Sequence, residues 1–397
     1  MGSGAFLVEA CRAIGEWLVT AWERWPETRP TIPADEDEEL HARRLVAQRC
    51  LCGVDKNPAA VDLARLSLWL ATLAKDHEFT FLDHALKCGD SLVGLTREQI
   101  AAANWDQSKP GLPLFRRLKD TVAEAMTARA EIRAAPDDTL RAVQEERHRI
   151  IEDRLTPVRT IGDAVVSAFF AADKPKAREN ERARIESWLA GGSLQEHWEK
   201  LNAAASSMRA GEHPIPPFHW EIEFPEVFSR ENGGFDAIVG NPPFAGKNII
   251  ILGNANNYLP WLQTLHDGAH GNADLVAHFF RLAFGLLRAG GVFGLIATNT
   301  IGQGDTRASG LTTVLSHGGA ILRATRRLKW PGEAAVIVSV VHVTKGETIS
   351  PVLDSKRVRR ISAYLVEGDL DTSPAALICE CRESIRGLIY SWHRLYV

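Results

Sequence analysis

Between Ala5 and about Val19 the apolar residues Phe6, Leu7, Ala10, Ile14, Trp17 and Leu18 recur at helical spacing. The pattern predicts an amphipathic helix with one buried face. Pro26 to Glu39 is polar, with three prolines and the acidic run from Asp35 to Glu39, and predicts an inserted, solvated loop. Cys50–Asp55 predicts a short buried strand ending on an acid. Asn57 then suits a helix N-cap, with Pro58 at the first helical position. The stripe Leu63, Leu66, Leu70 and Leu73 predicts that this helix packs on a core. Phe79–Ala85 predicts another strand region, leading into Cys88-Gly89-Asp90-Ser91-Leu92.

From Thr96 to about Glu212 the texture is Ala-, Arg- and Glu-rich. It predicts a mostly helical insertion with charged outer faces, broken at Pro110–Pro113, Pro136, Pro157, Pro175 and Gly191-Gly192. Core texture returns at Phe218–Phe224, and Phe235–Val239 predicts a strand. A helix is expected from Asp274 to Arg288, with Leu275, Phe279, Leu282 and Leu286 on one face. It should stop at Gly290-Gly291 and flow into a strand over Val292–Ala297. Val336–Val343 predicts a further strand, and the pattern weakens after Lys345. Alternating helices and long apolar strands point to the α/β class, an open sheet covered on both faces.

Composition narrows the class without naming a partner. The 397 residues are 45% hydrophobic and 24% charged, which excludes wholesale disorder. No apolar run approaches the roughly 20 residues of a membrane span. Six sparse cysteines make no disulfide framework, so a reducing cytoplasm is the expected setting. Cys50-x-Cys52 and Cys379-x-Cys381 lack zinc-site spacing, and no metal is expected. A net charge of −4 means that any nucleic-acid surface is local. Arg323, Arg326, Arg327 and Lys329, and Arg357, Arg359 and Arg360, are the basic patches available for phosphate contact.

Three segments carry chemistry. Gly2-Ser3-Gly4 ahead of a helix suits a turn that brings backbone amides to a cofactor, although a simple turn reads the same way. Asp55, at the end of the next strand, has the acceptors that ribose hydroxyls require. Asp90, at another strand end, suits an exocyclic amine; a helix cap is the competing reading for either acid alone. The sharpest signal is Asn241-Pro242-Pro243-Phe244, directly after a strand and Gly240. Consecutive prolines fix an extended backbone. The Asn side-chain oxygen and the Pro242 carbonyl can then accept both hydrogens of a planar NH2 group, aiming its lone pair at an electrophile. Phe244 offers a face for a planar base.

With these motifs in this order, the chain resembles the gamma-order N6-adenine DNA methyltransferases of type IIG restriction–modification enzymes and of phage-defence systems such as BREX. The matching segments are Met1–Leu7, Gly53–Pro58, Gly89–Leu92, Phe224–Phe228, Phe235–Phe244 and Gly290–Asn299. The resemblance implies a Rossmann-like S-adenosylmethionine-dependent methyltransferase sheet with a long helical insertion. Residues 1–98 would form the cofactor-binding half, 99–214 the insertion, 215–345 the catalytic half and 346–397 the start of a C-terminal target-recognition region. By the same resemblance Gly2, Ser3, Gly4, Ala5 and Phe6 line S-adenosylmethionine. Asp55 holds its ribose and Asp90 with Leu92 its adenine, Lys56 and Ser91 lying in the same cofactor-binding segments. Asn241, Pro242, Pro243 and Phe244 grip an adenine flipped out of double-stranded DNA. Trp330 matches an aromatic against the other face of that base, with core packing as the competing reading. The family places a strand before the glycine turn and a recognition domain after the catalytic block. The chain is therefore expected to be truncated at both ends, with a partner chain supplying the missing strand or recognition domain, and no nuclease constellation is visible. Two alternatives stand beside this reading. One is a catalytically inactive remnant that binds DNA or a partner chain. The other is a protein methyltransferase acting on a glutamine amide, whose family usually carries Tyr at the fourth motif position and lacks such an insertion.

Overall fold

Helical spacing and capping chemistry explain where the first elements form in the computed structural model, which describes residues 1–369 except 33–35, 74–80, 107, 109–115, 135–140, 191–193, 331–335 and 349. Helix α1 (Ala5–Arg24) starts on Gly4 and runs five residues past the expected end. It buries Leu7, Cys11 and Trp22, while Phe6 and Trp17 of the predicted face point outward. Helix α2 (Glu38–Arg49) occupies the end of the expected loop. Asp37 caps it by accepting from the Leu40 amide, and Glu36 is buried against His41 and Arg44. Part of the acidic run is thus a cap and a buried ion pair. The helix escaped the sequence pattern because most of its buried positions are polar or alanine.

Strand β1 (Gly53–Asp55) ends on the expected acid. Helix α3 (Pro58–Ala71) follows, with Asn57 accepting from the Ala59 amide and Pro58 at the first position, as predicted. Its buried stripe is Val61, Ala64 and Leu68. The predicted stripe Leu63, Leu66, Leu70 and Leu73 is instead 47–64% exposed. Two apolar stripes share this helix, and the buried one carries Ala64, which Gly4 approaches closely. Strand β2 (Leu86–Cys88) pairs parallel with β1. The strand expected at Phe79–Ala85 is a turn over residues 81–85, with 79 and 80 outside the described residues.

The insertion is helical: α4 (Arg97–Ala101), α5 (Arg116–Ala134), α6 (Arg141–Phe170), α7 (Pro175–Ala190) and α8 (Leu194–Ser207). Pro157, expected to be a break, lies inside α6. Burial of Ile151, Leu155, Val158 and Ile161 around it offsets the lost backbone hydrogen bond. Two short helices, α9 (Trp220–Glu223) and α10 (Pro225–Phe228), lead to strand β3 (Phe235–Gly240). Phe224 of that segment is core.

Helices α11 (Lys247–Gly253), α12 (Tyr258–Leu265) and α13 (Leu275–Leu286) come next, and Asp274 caps α13. Strand β4 (Leu287–Thr298) begins before Gly290-Gly291, which lie where its register against β3 slips. The expected helix end and strand start therefore move upstream. Strand β5 (Gly319–Lys329), hidden in a basic stretch, and β6 (Ile337–Lys345) complete the central ladder. Strands β7 (Val352–Leu353) and β8 (Lys356–Arg357) extend it, and Ile361, Ala363 and Leu365 enter its core.

The single open sheet expected from the sequence is two sheets. One is β1-β2, and the other runs β3-β4-β6-β5-β7-β8 with β6 antiparallel to both neighbours. The architecture is mixed α/β, with separate cores beneath each sheet and within the insertion. Among the described residues no helix is long and apolar enough to cross a membrane.

Candidate active site

Parallel strands place their C-terminal ends together, and the predicted site residues sit at such ends. The Gly89 amide donates to the Asp55 carbonyl (2.9 Å), which brings the two acidic loops side by side. Asp55 Oδ2 accepts from the Gly2 amide (2.7 Å) and lies 3.1 Å from the Met1 amino group; its Oδ1 accepts from the Asn57 amide (2.9 Å). Burial pushes this carboxyl up, but the Asn57 and Gly2 amides and the ammonium outweigh it, leaving it below its ordinary value. Residues 53 positions apart are thus joined.

Gly2 and Gly4 both have positive φ, +60° and +86°. A Cβ on Gly4 would lie 2.9 Å from the Ala64 Cα, so the turn needs glycine both for its angle and for its approach to α3. No side chain caps α1, and its first turn carries no acid. Its leading amides therefore have no side-chain cap, beside the exposed Ser3, Ala5 and Phe6. This uncapped amide end beside Asp55 fits a ligand that carries a carboxylate and vicinal hydroxyls.

Asp90 is only 4% exposed and already densely bonded. The Tyr258 hydroxyl lies 3.0 Å from both of its oxygens, Lys56 Nζ lies 3.1 Å from Oδ2, and the Leu92 amide donates to Oδ1 at 3.1 Å. The Ser91 and Leu92 carbonyls accept from the indoles of Trp220 (3.0 Å) and Trp261 (2.9 Å). Sequence reasoning missed Tyr258, Trp220 and Trp261; apolar spacing marks them only as core. Lys56 Nζ also reaches Asn254 Oδ1 at 3.3 Å, linking the β1 loop to the segment behind the Asn-Pro-Pro-Phe motif.

That motif follows β3 directly. Asn241 and Pro243 are exposed, Pro242 is buried and Phe244 is half-buried. Its trailing loop is pinned by Asp274, whose Oδ1 accepts from the Ala245 amide at 3.2 Å, and by the Leu275 amide donating to the Ala245 carbonyl at 2.8 Å. Asp274 therefore caps a helix and holds the motif at once, a role that the sequence does not announce. Trp330 follows β5, at the same end of the sheet, with its amide bonded to the Val336 carbonyl. Three strand spacings, about 14 Å, separate β3 from β5. Residues 331–335, which follow Trp330, lie outside the described residues. Of the basic patch, Arg326 donates from Nε and Nη2 to Asp354 Oδ2, while Arg323, Arg327 and Lys329 are exposed on β5.

The insertion docks through buried charge. Arg129 reaches Glu226 with Nε (2.9 Å) and Nη2 (3.0 Å) and the His84 carbonyl with Nη2. Lys87, Glu152, Arg159 and Glu223 form a chain of ion pairs beside Asp163, His219 and Arg209, around a cavity of about 220 Å³. Burial pushes Glu152 up, but Lys87 and Arg159 outweigh it and hold it at about 2. Each charge here has an opposite partner, so the cavity wall is structural. Among the described residues no group of three or more His, Cys, Asp or Glu side chains is placed to hold a metal ion; Cys379 and Cys381 lie outside them.

Comparison with known proteins identifies what the chain is similar to. A protein of Methanocaldococcus jannaschii, carried under the name of a type II restriction enzyme and methyltransferase, RM.MjaORFECS2P, is 22% identical over 287 residues. The match covers 62% of this chain and 21% of that one. Among solved structures, the type IIL restriction–modification enzyme MmeI in complex with DNA aligns over 87% of this chain and 48% of its own, at 14% identity and a TM-score of 0.33. A class I S-adenosylmethionine-dependent methyltransferase from Listeria monocytogenes aligns over 74% and 96%, at 9% identity and a TM-score of 0.23. The chain spans about a fifth of the curated relative and about half of MmeI. The family model described as Eco57I restriction-modification methylase matches residues 49–315, more than half of the sequence and including both Asp55 and Asn241, and the chain belongs to that family.

Proposed function

We propose that this chain is the catalytic region of a DNA methyltransferase that modifies N6 of adenine. The methyl donor of such a methylase is S-adenosylmethionine, which supplies an electrophilic methyl on its sulfonium when bound. The observation that carries the reading is the exposed Asn241 at the end of β3, on a backbone stiffened by Pro242 and Pro243 and anchored by Asp274. The Asn241 side-chain oxygen and the Pro242 carbonyl accept the two amine hydrogens, which takes the nitrogen lone pair out of conjugation with the ring. Phe244 and Trp330 enclose the flipped base from its two faces. Extrusion costs a few kcal/mol of unstacking, which that enclosure offsets. Gly2, Ser3, Gly4, Ala5 and Phe6 hold the cofactor against the α1 amides, Asp55 takes its ribose, and Lys56, Asp90, Ser91 and Leu92 surround its adenine. Arg323, Arg327 and Lys329 reach DNA phosphates. Among the described residues β1 and β3 each pair on one side only, and a strand from a partner chain joins the two sheets at those edges.

Labelled cofactor, duplex DNA and this chain, alone or with the rest of its restriction–modification system, supply the test. Label recovered as N6-methyladenine after digestion to nucleosides, falling about 10²–10³-fold in Asn241→Ala, is the expected result. Label in a glutamine-bearing protein, or cofactor binding without transfer, overturns it.

A further inference from the structure

Asp90 is expected to accept the exocyclic amine of the cofactor's adenine, yet its acceptor positions are taken. A carboxylate has about four lone-pair sites. The Leu92 amide, the Tyr258 hydroxyl and the Lys56 ammonium occupy the space around both oxygens. These donors differ in how firmly they are held. Leu92 is main chain in a loop pinned by two indoles. Tyr258 is buried at the start of α12, with its hydroxyl on Asp90 and its ring centre 5.4 Å from the Lys56 ammonium. Lys56 alone is exposed, at 40%, on a flexible stem.

We infer that Asp90 is a two-part amine receptor in which Tyr258 fixes the carboxylate and Lys56 is the exchangeable occupant that the adenine amine displaces. The inference rests on the cofactor reading above and adds to it a positioning residue and a built-in competitor. Burial, together with Asp90, raises the Tyr258 phenol well above its ordinary value, so the hydroxyl keeps its proton as a donor. With Tyr258 lying across both oxygens, the carboxylate cannot rotate freely when Lys56 leaves. One oxygen stays presented to the crevice. Until ligand arrives, the Lys56 ammonium supplies the donor for the Asp90 oxygen that the adenine amine then takes, so the buried carboxylate is not left short of a partner. Asn254, which also receives Lys56, offers the displaced ammonium a second partner.

The measurement is calorimetric binding, to the full chain, of S-adenosylhomocysteine and of its 6-deamino purine analogue, which carries hydrogen in place of the amine and keeps the ring nitrogens as acceptors. The ratio of the two dissociation constants reports amine recognition alone. Asp90→Ala is expected to bring that ratio close to one; if the ratio is unchanged, Asp90 does not read the amine and the underlying assignment falls. Provided Asp90 passes, Tyr258→Phe is expected to cut the ratio about fivefold to tenfold while leaving the deamino ligand's affinity unchanged. Equal weakening of both ligands means that Tyr258 is only core and overturns its positioning role. Lys56→Met, at an exposed site that does not threaten folding, is expected to tighten S-adenosylhomocysteine several-fold. Weaker binding makes Lys56 a direct ligand and overturns the exchange.

Discussion

A single absent side chain decides the geometry of the turn before α1. Gly4 combines a φ of +86° with an approach to Ala64 that leaves no room for Cβ. Gly4→Ala therefore strains the backbone and pushes α1 off α3, at a cost of about 1–3 kcal/mol. Urea denaturation should show that loss together with weaker cofactor binding, and unchanged values for both would remove the close approach from the argument. Other single residues were legible from local chemistry alone: Asn57 with Pro58 announces the start of α3, and Asp55 announces a strand end. The occupancy of Asp90 was not legible, because its partner Tyr258 lies 168 positions away and nothing local marks either one.

Periodicity shows which residues of an element share a face, but not which face the fold buries. Helix α3 carries two apolar stripes that obey helical spacing, and the larger one is outside. The double variant Leu66→Glu with Leu70→Glu should shift stability by no more than about 0.5 kcal/mol and raise solubility. Leu68→Ala on the buried stripe should cost about 2–5 kcal/mol. Urea denaturation separates the two, and equal losses would place the leucines in a core after all. The insertion repeats the lesson for charge. Arg129 and Glu226 look like solvated residues in sequence, yet their pairing, with Arg129 fully buried, joins α5 to α10. Arg129→Ala takes the guanidinium away from Glu226 and should cost about 3–5 kcal/mol, whereas the paired change Arg129→Met with Glu226→Gln should recover much of it. No recovery in the double variant would show that α5 is held by something other than this pair.

Across the whole molecule the α/β class and the helical insertion were legible from texture. The division into two sheets was not, since strand pairing is a long-range property and β5 hides its buried positions among arginines. Buried histidines set the acid response of the fold. Burial holds His84 and His278 at about 4 and His148 at about 3, below an ordinary 6.5. Each takes up a proton less readily folded than unfolded, so acid favours the unfolded chain. Their contribution is complete above pH 6.5 and is lost as pH falls toward 4, with Glu152 adding its own loss between 4.5 and about 2. Each histidine accounts for about 1–3 kcal/mol. Thermal midpoints should fall steadily from pH 7 to 4.5, and less steeply in His278→Leu; a flat profile in the unaltered protein would contradict this.

The two indoles bonded to the loop after Asp90 have a further, optical consequence. Trp220 and Trp261 donate to the carbonyls of Ser91 and Leu92, so any ligand that shifts that loop shifts the electric field at two emitters. Nine other tryptophans in the chain form a steady background. A change in emission on titration, abolished in the Trp220→Phe and Trp261→Phe double variant, makes the crevice readable by its own fluorescence without an added dye.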